Sequence, residues 1–185
     1  MNENTPAVNT VSPVKAALNY GVIFGALLII EFVTMYLLDI NPQEQGTIAV
    51  VNALVNYIVL PFTFIILACN TYKKLNGGFI SYGQALKIGV IVTVIASIVL
   101  GIFNIIFNLI LPEIQVEMIQ KAKENMVKQN PNMTSEQLEA GLQVAEVFMK
   151  PYVLLPLSIL MYAFIGLINS LIIGAIVKKE NPGGF

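Results

Sequence analysis

Four long, nearly uncharged apolar stretches constrain this chain more than any other feature. They run from about Ala16 to Leu38, Thr47 to Tyr72, Gly83 to Leu111, and Tyr152 to Val177. A helix needs ~20 residues to cross a hydrocarbon core, and each stretch is long enough. None shows the alternation of a barrel strand. With no water to pair backbone groups in lipid, such stretches are expected to be helical. Composition agrees: 56 % of the residues are apolar and 11 % are charged, against about 25 % charged in an ordinary soluble domain. The expectation is an all-α membrane protein in which residues 1–185 form a single membrane domain with four transmembrane helices. Pro61 lies inside the second stretch and should kink it.

The lysines give an orientation. Lys15 precedes the first stretch, Lys73 and Lys74 follow the second, Lys87 lies one turn into the third, and Lys178 and Lys179 follow the fourth. All six fall on one side of a four-span arrangement. The short first connection carries Asp39 and Glu44 but no lysine. By the positive-inside rule, both termini are expected in the cytoplasm. The polar start of the chain lacks the features of a secretory signal, so the first apolar segment is expected to be retained.

Residues 112–151 form the one sizeable polar region, expected to be an extracytoplasmic amphipathic helical hairpin over about residues 113–150. Ile114, Met118, Ala122 and Met126 recur every four positions and make one apolar face. Asn130-Pro131-Asn132 should break the helix. Thr134 and Gln137 match a capping box that opens a second helix, with Leu138, Leu142, Ala145 and Met149 on one face. These faces can pack on each other and on the spans, lie in the lipid interface, or dock a partner.

Small and polar residues recur along each span at helical spacing. Gly21 and Gly25 lie four apart, and Asn52, Asn56 and Thr63 show a four-then-seven pattern. Thr93, Ser97, Gly101, Asn104 and Asn108 mark the third span; Ser158, Tyr162, Gly166, Ser170 and Gly174 mark the fourth. Such seams suit helix–helix contact through close approach and hydrogen bonds across the interface. Glu31 stands apart, embedded in Leu27–Val33 past the middle of the first span. An intramembrane carboxylate is costly and marks a buried hydrogen-bonded structural acid or a functional site. Asn56, Asn104 and Asn108 lie at a similar depth, so a polar cluster of Glu31 with these amides is expected.

The chain has neither His nor Arg, which removes the usual imidazole bases, the common metal ligands and bidentate anion clamps. Its net charge is −1 with no basic tract, which argues against nucleic acid as a partner. Cys69, the single cysteine, reads as a buried small hydrophobe. No catalytic constellation, metal site or cofactor site is expected. The partners such a chain calls for are the lipid bilayer and a second copy of itself or another membrane protein.

One stretch carries a recognisable pattern: Asn76-Gly77-Gly78-Phe79-Ile80-Ser81-Tyr82-Gly83-Gln84-Ala85-Leu86-Lys87-Ile88-Gly89. It resembles the loop before the third span in the DUF4199 family, small four-span bacterial membrane proteins with no assigned function. Pro112-Glu113, the polar helical region and the fourth span come after it in similar order. The resemblance implies an inner-membrane location and carries over no catalytic residue. Two functions suit these features: a non-enzymatic scaffold or regulatory subunit, and a small transporter or channel subunit with Glu31 as protonatable coupling group.

Overall fold

The structure is a computed structural model that describes residues 12–40 and 46–181. The polar start, the Glu44-bearing end of the first connection and residues 182–185 lie outside the described residues. Helix α1 (Pro13–Leu37) opens with Pro at its first position, where its missing N–H costs nothing. Helix α2 (Gly46–Leu54) passes through a π-helical turn, Val55–Val59, into α3 (Leu60–Leu75). Then come α4 (Tyr82–Ile110), α5 (Glu113–Gln129), α6 (Ser135–Met149) and α7 (Pro151–Val177). Four helices are long and apolar enough to cross a membrane: Pro13–Leu37, Gly46–Leu75, Tyr82–Ile110 and Pro151–Val177. They match the four apolar stretches to within a few residues.

Helix α4 is the centre of the packing. It runs against α1 on one side and α7 on the other, while α3 touches all three. The small-residue seams explain how. A Cβ placed on Gly21 would lie 2.7 Å from Ile95 Cβ, and one on Gly25 would lie 2.7 Å from Val99 Cβ. On the other side, a Cβ on Gly89 would lie 2.5 Å from Ser170 Cβ, and one on Gly166 would collide with the Thr93 hydroxyl. Both contacts are therefore closer than any other residue permits. The seam hydroxyls of Thr93, Ser97 and Ser170 do not bridge helices. Thr93 donates to the Gly89 and Val90 carbonyls at 3.2 and 3.1 Å, Ser97 to Val94 at 2.9 Å, and Ser170 to Leu167 at 3.0 Å. Each satisfies itself on its own helix and serves the interface by being small.

The core is one-sided along the spans. Buried residues in α1 stop at Leu28, those in α4 at Ser97, and those in α7 begin at Tyr162; α2 has none. At the end that carries Lys73, Lys74 and Lys179, Phe24 stacks on Phe64 with centroids 5.4 Å apart, and Ile65, Ala68, Tyr72, Ile88 and Ile173 fill the interior. At the opposite end α2 packs only loosely against the other spans, while Phe32 of α1 still meets Phe103 and Phe107 of α4.

The stretch that carries the family resemblance closes the lysine-bearing end. Gly77 and Gly78 adopt positive φ of 64° and 90°, which favours glycine. Ile80 is fully buried and exchanges two backbone hydrogen bonds with Lys179, at 3.0 and 2.9 Å. Ser81 and Gln84 form a capping box that starts α4. Ala85 and Tyr82 approach Gly174 of α7, and Lys73 Nζ donates to the Val177 carbonyl at 3.0 Å. The segment thus ties the end of α7 to the start of α4.

At the other end, α5 and α6 lie in contact with each other, and α6 touches α7. The chain leaves the helix at Asn130, and Thr134 and Gln137 form the expected capping box. A Cβ placed on Gly141 of α6 would lie 3.2 Å from Met126 Sδ of α5, so Met126 packs over that glycine. Tight packing at the α4–α7 crossing makes a direct prediction. Gly166→Leu should lower stability in detergent by about 1–3 kcal/mol or more, as overpacking does. Gly83→Ala, where a Cβ meets nothing within 4 Å, should unfold at the wild-type temperature. Equal melting of the two variants in a thermal unfolding series would contradict this packing.

Candidate functional site

Where α2 stands off from the other spans lies a cavity of about 610 Å³. Its walls come from α1, α2, the π-turn, α4 and α7, and its roof from one face of α5 together with Met149 of α6. The face is Ile114, Glu117, Met118, Lys121 and Ala122, a spacing of three, one, three and one that gathers on one side of a helix. Ile114, Met118 and Ala122 belong to the apolar stripe read from the sequence. The fourth member, Met126, faces α6 instead.

Glu31 stands in the wall, half-buried. Its Oε1 accepts from Asn56 Nδ2 at 2.9 Å. The same amide nitrogen is 3.1 Å from the Asn52 carbonyl and contacts Asn52 Oδ1. Asn56 Oδ1 is buried and has no hydrogen-bond partner. Asn104 lines the same cavity from α4, but its Nδ2 donates to the Leu100 carbonyl at 3.0 Å. Asn108 is not in the lining, and its Nδ2 donates to the Asn104 carbonyl at 2.8 Å. Of the three amides expected around Glu31, one bonds it, one shares its cavity and one does neither. Asn52 completes the group; its four-residue spacing from Asn56 was the available signal. A smaller space of about 200 Å³ lies between α1 and α2, bordered by Glu31, Asn52, Thr47 and Val51. Glu31 thus borders both spaces.

The π-turn sets this geometry. Pro61 has no N–H, so in a regular helix the Tyr57 carbonyl four residues earlier would have no donor. Inside lipid an unpaired carbonyl is expensive. Asn169 of α7 supplies the donor: its Nδ2 lies 3.0 Å from the Tyr57 oxygen and 2.9 Å from that of Ile165. The π-turn adds a residue just before the proline, and Leu60 N–H reaches back to Val55. That extra residue rotates the rest of the helix. Thr63, expected on the Asn52–Asn56 face one heptad later, is instead exposed and bonds its own Val59 carbonyl at 2.8 Å.

Aromatic rings border the cavity. Phe32 meets Phe107 edge-on at 5.2 Å, and Tyr36 meets the same ring at 5.4 Å. Tyr57 and the buried Tyr162 lie beside the carboxylate group. At the rim, Lys121 pairs with Asp39 at 3.7 Å, but both are exposed, so the pair adds little stability. Among the described residues, the lining offers oxygen acceptors, aromatic faces and apolar wall.

The fold is that of a multi-pass protein with membrane-spanning helices around a partly polar cavity. The chain belongs to the family described as protein of unknown function (DUF4199), whose model matches residues 19–179. No curated protein and no solved structure matches it.

The Asn169–Tyr57 contact can be tested on stability. Asn169→Leu should cost about 1–3 kcal/mol by leaving the part-buried Tyr57 carbonyl without a donor inside the membrane. In a Pro61→Ala background, where residue 61 regains its N–H, the same change should cost less. Additive losses in the double variant would contradict this role for Asn169.

Proposed function

We propose that this protein is a non-enzymatic inner-membrane protein that admits a small molecule to the cavity beneath α5, acting as a small transporter or channel subunit with Glu31 as its coupling group. The observation that carries this reading is the space beside Glu31, a carboxylate held by Asn56 in the wall of a partly polar cavity. An acid serving structure alone has no need of a cavity, whereas one that meets a ligand or proton does. A scaffold or regulatory role is the second reading. It draws on exposed Val144, Val147 and Phe148 of α6, an apolar surface that could contact a membrane protein partner.

In this reading the lysine-bearing end and both termini face the cytoplasm, and α5 and α6 form a hairpin on the outer side. The cavity then opens in the outer half of the membrane. Cysteine labelling in a Cys69→Ser background tests the orientation. In intact cells an impermeant thiol reagent should modify a cysteine at position 130 and spare one at position 2; the reverse pattern would overturn it.

The role of Glu31 is tested in proteoliposomes loaded with a pH-sensitive dye and given a pH gradient. Wild-type protein should dissipate the gradient, and Glu31→Gln should not, while both unfold at the same temperature. Gln keeps the size and hydrogen-bonding capacity of Glu but cannot exchange a proton in this way. Equal flux from the two proteins would remove Glu31 from the coupling role.

A further inference from the structure

We propose that the cavity beneath α5 binds an amphipathic organic cation: a primary ammonium group on an apolar body. The inference rests on the reading of this cavity as a ligand site and names the chemistry it would accept. Its volume of about 610 Å³ falls within the roughly 300–1,000 Å³ of small-molecule sites.

The polar wall sets the Glu31 carboxylate beside the amides of Asn52 and Asn56. Glu31 Oε1 has Asn56 Nδ2 as its partner, and that nitrogen is also shared with both oxygens of Asn52. Asn56 Oδ1 is buried with no donor at all. That oxygen lies too deep for a guest to reach, so the guest's partner in this wall is the Glu31 carboxylate. An ammonium group brings three donors and a positive charge. It can meet the Glu31 carboxylate with its N–H groups.

Charge and rings point the same way. The acidic residues of the lining are Glu31, Asp39 and Glu117; its one basic residue, Lys121, stands at the rim and pairs with Asp39. An anionic guest would meet Glu31 without a compensating cation. Phe32, Tyr36, Tyr57 and Tyr162 surround the space, and aromatic faces attract cations, more so away from water. Leu28, Leu100 and Met118 supply apolar wall for the guest's body. The same chemistry is presented by a free alkylamine and by the headgroup of an ethanolamine phospholipid.

The test measures binding of radiolabelled octylamine to the whole protein in a non-ionic detergent, with octanol and octanoate as probes of equal chain length. Octylamine should bind saturably and more tightly than either. Glu31→Gln should weaken it by at least about tenfold, the scale set by removing one partner of a buried charge pair. Asn104→Asp, which adds a carboxylate to the same cavity, should tighten it and supplies a variant of opposite sign should Glu31→Gln fold poorly. Competition in nanodiscs of phosphatidylethanolamine against phosphatidylglycerol separates the sources. Loss of octylamine binding only in the former identifies a lipid headgroup, and equal binding in both identifies a free amine. Three probes that bind alike, or an amine indifferent to both substitutions, would overturn the cation assignment and leave the cavity as a ligand site. Binding of none of the three would overturn both.

Discussion

The close approach of α4 to its two neighbours is the constraint on which the rest of the structure depends. Gly21 and Gly25 admit the α4 surface at Val92–Val99, while Gly89 and Gly166 let α4 and α7 meet almost backbone to backbone. Lipid tails are as apolar as side chains, so association here depends on packing rather than on the hydrophobic effect. That packing is concentrated in the half of the spans nearest the lysines. Beyond Leu28, Ser97 and Tyr162 no residue of these helices is buried, although Gly101 still receives Leu155 and Phe32 still meets Phe107; it is α2 that stands off from the other spans. The cavity lies where α2 stands off from α1, α4 and α7.

A second constraint operates within the other half. Pro61 leaves the Tyr57 carbonyl without its helical donor, and the chain answers with a π-turn and an asparagine from α7. The π-turn also sets the face on which Asn56 stands relative to α3, so the hydrogen bond to Glu31 is linked to a proline five residues further on. Single-turn π-helices are often found at functional sites, and here the turn contributes Asn56 and Tyr57 to the cavity wall. Structure and candidate site share the same residues, which is why Asn169, remote from the carboxylate, matters for its geometry.

Much of the architecture was legible in the sequence because its causes are local. Length and apolarity give the four span-like helices, and the Thr134–Gln137 pair marks the start of α6 because a capping box needs only four residues. The resemblance in Asn76–Gly89 led to the family, and each part of that stretch does something physical. Gly77 and Gly78 make a left-handed turn, Ser81 caps a helix, and Gly89 permits a close approach. The features that escaped the sequence depend on relations between helices. Equal depth along the chain placed Asn104 and Asn108 with Glu31; Asn104 shares its cavity and Asn108 does not, and each amide donates to a carbonyl on its own helix. Heptad counting placed Thr63 with Asn56 because it could not see the extra residue of the π-turn. The pairing of Ile80 with Lys179 joins segments about a hundred positions apart and leaves no periodic trace.

The central claim is that Glu31 borders a chamber rather than a packed or lipid-facing surface. Two positions on α2 distinguish these most directly. Ala53 lines the cavity, whereas Val50 is 60 % exposed on the helix surface and outside the lining. In a Cys69→Ser background reconstituted in lipid, a water-soluble thiol reagent should modify a cysteine at position 53 and spare one at position 50, because a thiol in hydrocarbon neither ionises nor meets the reagent. Modification at position 50 with position 53 protected would contradict the account.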